Sequence, residues 1–477
     1  MRATLVLLLL PAVFSFYLPG LLWEIELRAG VAPRTYQRGQ NVELKVNALD
    51  SVQTQLPYKY YSLPFCSPGV IEDAAENLGE ILTGDFIENS VYQISMNMPE
   101  PCKILCRLKH NAEEFALFAS RIEEEYRVNW LVRRIRHVFR RIVDNLPAAT
   151  KYYIEEASDS ETPSYTEHYE KGFPLGWVSS PELLTSAQEI PADVKYLNNH
   201  VRMTIKYHEE SNGFRIVAFE VEAHSVKHKL VGEWKQGGEN VLSTCPLGSK
   251  RGEGAGLQPV SAPPGVTFTD DDYVIFYTYD VQWESSPVMW ASRWDVYLQM
   301  TDSQIHWFSI INSITIVLLL SGMVAMIMMR TLHRDVRRYN ETTEEDQQEE
   351  TGWKFIHGEV FRAPAHGGTF SVLVGTGAQV FAMSMFTLMF AVLGFLSPAN
   401  RGGLMTALVL LYVFMSTVAG YYSTLVYKMF KLVDWKRNTV VTSMALPGFM
   451  FTIFFILNLL VWYEGSSGAV PFTTLLA

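Results

Sequence analysis

The stretch "WFSIINSITIVLLLSGMVAMIMMRTLHRDVRR" (residues 307–338) divides the chain into two unlike parts. Its first 23 residues contain no Asp, Glu, Lys, Arg or His. An apolar run of this length can cross the hydrocarbon core of a bilayer as a helix. The residues that follow it include four arginines. The stretch therefore predicts a membrane helix with a basic flank.

Three later blocks repeat this pattern. Residues 370–396, 403–427 and 439–463 are also free of charged residues and histidine. Together with residues 307–329 they predict four membrane helices, because each is long enough to span a bilayer with some tilt.

The connecting segments predict the orientation of these helices. Residues 330–369 and 428–438 are rich in Lys and Arg next to the apolar blocks, whereas "SPANRGG" between the second and third blocks contains one arginine. Basic loops favour the cytosol, so residues 330–369 and 428–438 are predicted to be cytosolic and the N-terminal region to be lumenal. Residues 464–477 are interpreted as a lumenal turn and the start of a truncated fifth helix, because a span cannot end after a few residues. The alternative is a tail that folds back on the lumenal side.

The N-terminus reads "MRATLVLLLLPAVFSFYLPG" and is typical of a signal peptide. We predict that residues 1–15 are removed between Ser15 and Phe16, and a retained signal anchor is the alternative. This interpretation agrees with a lumenal location of the region that follows.

All the cysteines precede the first apolar block, which is typical of a domain folded in an oxidising lumen with up to two disulfides. Three pairings are possible. A Cys102–Cys106 pair is the least favoured if that segment is extended, because the two Cα atoms would lie about 13 Å apart. The candidate disulfide residues are Cys66, Cys102, Cys106 and Cys245.

Residues 16–306 are predicted to form a lumenal, β-rich, sandwich-like domain. Stretches such as "VRMTIKYH" (201–208) and "DYVIFYTYDVQW" (272–283) alternate apolar and polar residues, as half-buried strands do. The clearest predicted helix is residues 111–135, "NAEEFALFASRIEEEYRVNWLVRRI". The fold class is therefore an α+β membrane protein with a multi-helix transmembrane bundle.

The chain offers no catalytic motif. It has neither a Gly-x-Ser-x-Gly elbow nor an HExxH helix, and we expect no enzyme activity and no cofactor. The net charge of −11 argues against nucleic acid as a partner. His200, His208 and His224 lie on predicted strands without ligand spacing, and Asp270–Asp272 is interpreted as a turn. The arginine-rich residues 133–142 are interpreted as a solvated basic helix, with a membrane-surface helix as the alternative.

The segment "WKFIHGEVFRAPAHGG" (353–368) combines histidines, a glutamate and aromatic residues between two apolar blocks. A metal site of His357, Glu359 and His366 is disfavoured, because the segment contains loop-forming Pro and Gly residues and the spans offer no further ligand. Aromatic residues at the headgroup level and basic residues on anionic lipid fit a juxtamembrane interface better. The candidate interface residues are Trp353, Lys354, Phe355, His357 and Arg362.

Longer motifs occur in a fixed order along the chain. They are "YYSLPFC" (60–66), "AENLGEILTGD" (75–85), "NNHV" (198–201), "FEVEAHS" (219–225), "SRWDVYLQM" (292–300), "IHWFSIINS" (305–313), "MVAMIMMRTLHRDVRRYN" (323–340), "GWKFIHGEVFR" (352–362) and "WYEGSSGAVPF" (462–472). In this order they resemble the nonaspanins, the nine-transmembrane (transmembrane 9 superfamily) proteins of endosomes and Golgi.

The resemblance implies a lumenal domain followed by nine membrane helices in Golgi and endosomal membranes, with no established enzyme activity. Residues 21–30 and 133–143 interrupt the family pattern, and the family's helices five to nine are missing. We interpret these departures as gene-model errors, with genuine lineage-specific segments as the alternative.

The first functional hypothesis is sorting, localisation and trafficking of other membrane proteins through lumenal and transmembrane contacts, with membrane lipids and sorting clients as partners. Small and polar residues in the spans could contact clients, or could pack the helices of the protein itself. These candidate residues are Gly375, Gly377, Gln379 and Gly420. The alternative hypothesis is a small-molecule or ion transporter or channel of endomembranes, which is weakened because the four spans contain no ionisable acid, base or histidine.

Overall fold

The computed structural model describes residues 34–54, 56–74, 77–136, 141–156, 164–179, 191, 193–235, 240–244, 256–262, 267–298, 307–340, 363–393, 396, 402–471 and 474–475. The chain consists of two compact units. The first comprises Met1–Thr301, Leu393–Thr406 and Ile456–Ala477, and the second comprises Asp302–Val392 and Ala407–Phe455.

Strands dominate the region before the membrane helices. They are β1 (Asn41–Val42), β2 (Leu44–Val46), β3 (Glu88–Asn89), β4 (Ile94–Ser95), β5 (Glu100–Lys109), β6 (Arg127–Val128), β7 (Trp130–Arg136), β8 (Arg141–Pro147), β9 (Ala149–Glu156), β10 (Ser164–Lys171), β11 (Phe173–Pro174), β12 (Gly176–Val178), β13 (Lys195–Leu197), β14 (His200–Glu210), β15 (Gly213–His224), β16 (Leu230–Val231), β17 (Val241–Leu242) and β18 (Val274–Ser285).

Two larger sheets enclose one hydrophobic core. A six-stranded sheet has the order β10-β9-β15-β14-β18-β5, and a four-stranded sheet has the order β3-β2-β7-β8. The six-stranded sheet is mixed, because β14 runs parallel to β18 and β15 runs parallel to β9. Trp130 from the smaller sheet and Phe219 and Tyr279 from the larger one are buried in the same cluster. The predicted α+β class with a β-rich domain is confirmed.

Among the described residues, three short α-helices accompany these sheets: α1 (Leu78–Leu82), α2 (Ala112–Glu123) and α3 (Arg293–Leu298). The prediction of one helix over residues 111–135 is wrong beyond Glu123. Asn111 and Glu114 form a capping box at the start of α2, but Glu125 has a φ of 54°, which ends the helical path. The next residues form β6 and β7.

The arginine-rich segment 133–142 is also not a helix where the structure describes it. Its ends belong to β7 and β8, which pair antiparallel with Arg136 opposite Arg141. Val132 and Leu146 are partners in this pairing and both are buried. The burial of these side chains in the core stabilises the strands more than local helix propensity stabilises a helix.

The cysteine pairing left open by the sequence is partly resolved. Cys66 and Cys106 form a disulfide with a Cα–Cα distance of 6.0 Å, which excludes the disfavoured Cys102–Cys106 pair. Cys102 is also disulfide-bonded, and Cys245 lies outside the described residues. These bonds agree with the predicted oxidising environment.

Four helices among the described residues are long and apolar enough to cross a membrane. They are α4 (Trp307–Asn340), α5 (Gly367–Val392), α6 (Gly403–Met429) and α7 (Trp435–Tyr463). α4 continues through the basic flank beyond its predicted span. α5 starts three residues before the start of its predicted span (370–396) and stops four residues before its end. α7 starts four residues before its predicted span (439–463) and contains Pro447.

Candidate functional site: a polar seam between membrane helices

A chain of hydrogen bonds joins three membrane helices inside the second unit. The Ser371 hydroxyl on α5 donates to the Asn438 side-chain oxygen on α7 at 2.9 Å. The Asn438 amide donates in turn to the Ser423 hydroxyl on α6 at 3.0 Å. Ser423 also lies 2.9 Å from the hydroxyl of Thr442. We call Ser371, Ser423, Asn438 and Thr442 the polar seam.

Burial explains why the seam holds the helices together. Ser371, Ser423 and Asn438 are at most 8% exposed. A buried polar group without a partner costs free energy, so each side chain favours the helix arrangement that supplies its partner. Interhelical hydrogen bonds of this kind contribute about 0.6 to 2 kcal/mol each in membrane proteins.

Gly375 allows α5 and α6 to approach closely enough for these bonds. A Cβ at Gly375 would lie 2.6 Å from the Ala419 carbonyl oxygen and 2.7 Å from the Ser423 Cβ. Real Cβ atoms do not come so close to such neighbours, so only glycine fits here without a shift of the helices. Small residues at contacts between membrane helices serve this purpose.

Gln379 makes a second link between the same helices. Its side-chain amide donates to the Tyr412 carbonyl oxygen on α6 at 2.8 Å, and the side chain is 4% exposed. The four candidate packing residues therefore separate into two kinds. Gly375 and Gln379 pack inside the protein, whereas a Cβ at Gly377 or Gly420 would meet nothing within 4 Å.

Sequence reasoning missed most of the seam. Ser371 and Ser423 are ordinary residues of apolar blocks, and Asn438 was assigned to the loop 428–438. In the structure Asn438 lies in the first turn of α7. An Asn at the start of a helix commonly suggests a cap, so its role between helices appears only when the three helices are assembled.

Several candidate residues lie outside the described part of the chain. This holds for the cleavage site Ser15 and Phe16 and for residues 21–30. It also holds for the whole juxtamembrane set, which is Trp353, Lys354, Phe355, His357 and Arg362.

In the first unit, the β-rich domain contacts segments at the ends of membrane helices. The Pro57 carbonyl oxygen accepts hydrogen bonds from the Ser466 hydroxyl and from the Ser467 backbone N–H, which lie just after α7. At a second contact, the Gly79 backbone N–H donates to the Thr406 hydroxyl at 3.1 Å. These contacts therefore involve the start of α6 and the segment that follows the end of α7.

A possible metal site in the β-rich domain fails on chemistry. Among the described residues, Cys102, His200 and Asp280 bring potential ligand atoms within 4.8 Å of one another. However, Cys102 is disulfide-bonded and therefore has no thiolate to offer. Arg202 also lies 3.6 Å from the Asp280 carboxylate, a cation where a metal ion would bind. Two ligands beside an arginine do not make a metal site.

The comparisons with known proteins agree with one another. Residues 57–477 match the family model described as Endomembrane protein 70. The chain is 46% identical over 479 residues to "Transmembrane 9 superfamily member 8" of Arabidopsis thaliana, which covers 100% of this chain and 67% of that protein.

Two further relatives come from other organisms. "Putative phagocytic receptor 1a" of Dictyostelium discoideum is 42% identical over 96% of this chain and 66% of its own length. "Transmembrane 9 superfamily member 4" of Homo sapiens is 38% identical over 97% of this chain and 67% of its own length. The chain thus spans about two thirds of the length of these relatives. No solved structure matches it significantly.

Proposed function

Because this chain belongs to the Endomembrane protein 70 family, the transmembrane 9 superfamily, we propose that it sorts other membrane proteins in Golgi and endosomal membranes. It is a multispanning integral membrane protein of the endomembrane type. The observation that carries the proposal is the presence in one chain of a large β-rich domain and of four apolar helices, which together offer both a soluble and a membrane-embedded surface to clients. The Dictyostelium relative bears the name of a receptor.

We propose that the β-rich domain faces the lumen, after removal of residues 1–15 as a signal peptide. The basic flanks of α4 and α6 favour the cytosol, which leaves the domain on the opposite side. The Cys66–Cys106 disulfide supports an oxidising compartment. The contacts of Pro57 and Gly79 with residues after α7 and at the start of α6 support the same side for those residues.

The exposed glycines are the proposed client contacts. Gly377 and Gly420 lie on membrane helices with open space at the Cβ position, so a client helix could approach the backbone there. Gly375, Gln379 and the polar seam instead hold the bundle in shape. The juxtamembrane residues around Trp353 are proposed to contact lipid headgroups.

Transport is less well supported than sorting. An ion-coupled transporter needs ionisable groups within the membrane, and the four spans contain none. The polar seam is neutral, and its hydroxyls and amide already bond to one another. The polar seam is therefore suited to stabilising helix packing and not to binding a solute.

The test is replacement of the endogenous protein in cells, followed by quantitative proteomics of plasma-membrane and Golgi fractions. Wild-type protein should restore the distribution of a defined group of membrane proteins. Gly420→Leu should be present at normal levels but fail to restore that group, because the leucine covers the proposed contact. Gly322→Leu, at an open position on α4, is the matched control and should restore it. If no membrane protein changes location when the protein is absent, the sorting role is wrong.

A further inference from the structure

Three histidines that are scattered in the sequence come together at one end of the six-stranded sheet. His200 and His224 are direct partners in the β14–β15 pairing, and their ring centroids lie 6.1 Å apart. His228, four residues beyond β15, turns back so that its ring lies 6.2 Å from that of His200. We call these three residues the histidine cluster.

His228 connects two parts of the domain through both of its ring nitrogens. Nε2 lies 2.8 Å from the Thr278 hydroxyl on β18, and Nδ1 lies 2.7 Å from the Thr244 hydroxyl just after β17. The Thr278 hydroxyl is shared, because Nδ1 of His200 lies 2.7 Å from it as well. His228 therefore fastens the β16–β17 hairpin to the central sheet.

Asn199 holds the same segment from the other side. Its amide donates to the Val226 carbonyl oxygen, and its side-chain oxygen accepts from the Val226 N–H at 2.9 Å. These bonds do not titrate, so they anchor the chain just before His228 at every pH. Only the hairpin beyond them depends on the imidazole.

Carboxylates accompany two of the three histidines. Asp280 on β18 lies 3.5 Å from His200, and Glu222 on β15 lies 3.7 Å from His224. Burial acts to raise the pKa of Asp280, but His200, the Cys102 backbone N–H and Arg202 outweigh it and lower the pKa. Each of these carboxylates therefore faces its own histidine, and neither is a described partner of His228.

His228 is placed differently. Its described polar contacts are the two threonine hydroxyls, and the charged neighbour that acts on its pKa is His200, which disfavours a positive charge on His228. Charged residues on the adjoining elements have other partners. Arg202 on β14 faces Asp280, Lys227 pairs with Asp272 at 2.7 Å, and Arg107 on β5 lies beside Trp234.

The pKa of His228 follows from this environment. Burial first, and the neighbouring His200 second, lower the pKa of His228 to about 4 from 6.5. An opened hairpin exposes the imidazole to water and restores its ordinary pKa. Between these two pH values the opened form binds more protons than the closed form. The stabilisation of the closed form by neutral His228 is therefore complete above pH 6.5 and is lost as the pH falls toward 4.

We propose that the histidine cluster is a pH-sensitive latch, in which protonation of His228 in an acidic compartment releases the β16–β17 hairpin from β18. The released element is the strand pair Leu230–Val231 and Val241–Leu242, whose Val231 and Val241 side chains are already exposed. The Asn199 bonds and the rest of the sheet keep their structure. The latch is independent of the proposed sorting role, because it depends only on the β-rich domain.

Hydrogen–deuterium exchange of the full chain in detergent micelles tests this proposal at about pH 7.4 and about pH 5. After correction for intrinsic exchange rates, the opening constant of residues 228–235 should rise about 25- to 30-fold on acidification. The β14 and β15 amides and the Val226 amide, which bonds to Asn199, should change little. Equal protection of residues 228–235 at both pH values would overturn the latch, and so would a uniform loss of protection across the domain.

Two variants separate the histidine from other acid effects. His228→Gln keeps a group that can bond Thr278 but cannot titrate, so the pH dependence of residues 228–235 should disappear. His168→Gln, on β10 and outside the cluster, should keep it. A full acid response in His228→Gln would overturn the proposal. If that variant does not fold, the wild-type comparison of residues 228–235 with β14 and β15 decides alone.

Discussion

Gly375→Ala tests whether α5 and α6 meet as closely as the structure places them. The new methyl group would lie 2.6 Å from the Ala419 carbonyl oxygen and 2.7 Å from the Ser423 Cβ. One of these contacts is with backbone, so a side-chain rotation cannot relieve both. The helices must move apart, which also lengthens the hydrogen bonds of the polar seam.

The magnitude follows from two opposing effects. Glycine to alanine in a helix interior gains about 1 kcal/mol of helix propensity. Overpacking a tight contact costs about 1–3 kcal/mol. We therefore expect Gly375→Ala to lie between no change and a destabilisation of about 2 kcal/mol.

Gly377→Ala is the matched control, because it lies on the same helix and its new Cβ meets nothing within 4 Å. It gains the same propensity without the steric cost, so it should be about 1–3 kcal/mol more stable than Gly375→Ala. The assay is unfolding of the purified full chain in detergent, by titration with a denaturing surfactant. If the two variants have the same free energy of unfolding within about 0.5 kcal/mol, the close approach at Gly375 is refuted.

Three further variants address other parts of the molecule. Cys66→Ser opens a loop with a sequence separation of 40 and should lower the stability of the β-rich domain by about 3–4 kcal/mol relative to oxidised wild type, measured by denaturant unfolding without reductant; equal stability of the variant and oxidised wild type would contradict this. Asn438→Leu removes two interhelical hydrogen bonds and should cost about 1–4 kcal/mol in the surfactant titration, whereas an unchanged midpoint would mean that the polar seam does not hold the helices. Gly402→Ala should be more damaging than Gly465→Ala in a thermal unfolding assay. Both glycines have φ near +65°, but only at Gly402 would the Cβ collide with the Glu80 backbone nitrogen; equal effects would leave backbone strain as the whole cost.

The region around Glu125 shows where local patterns mislead. Residues 111–135 contain apolar residues at helical spacing throughout, but the chain changes from helix to strand after Glu123. The change is caused by partners distant in sequence, since β7 pairs with β2 and β8 and buries Trp130 in the core. A single sequence contains no direct record of such pairings.

The histidine cluster, like the strand pairing, could be predicted only in part from the sequence. The sequence placed His200 and His224 on strands, and the structure has them on β14 and β15. Their meeting depends on strand register, and His228 joins them only because the chain turns back after β15. Asp270–Asp272 lies in the turn before β18, as the sequence predicted.

The sequence by itself determined the membrane character of this protein, the β-rich class of its N-terminal domain and its family. Hydrophobic runs and period-two alternation are local properties, so they can be read without knowledge of neighbours. Only the tertiary structure decided the Cys66–Cys106 pairing, the polar seam through Asn438 and the histidine cluster, because each joins residues that lie far apart along the chain. Their proximity results from strand register and helix packing, which depend on the whole core.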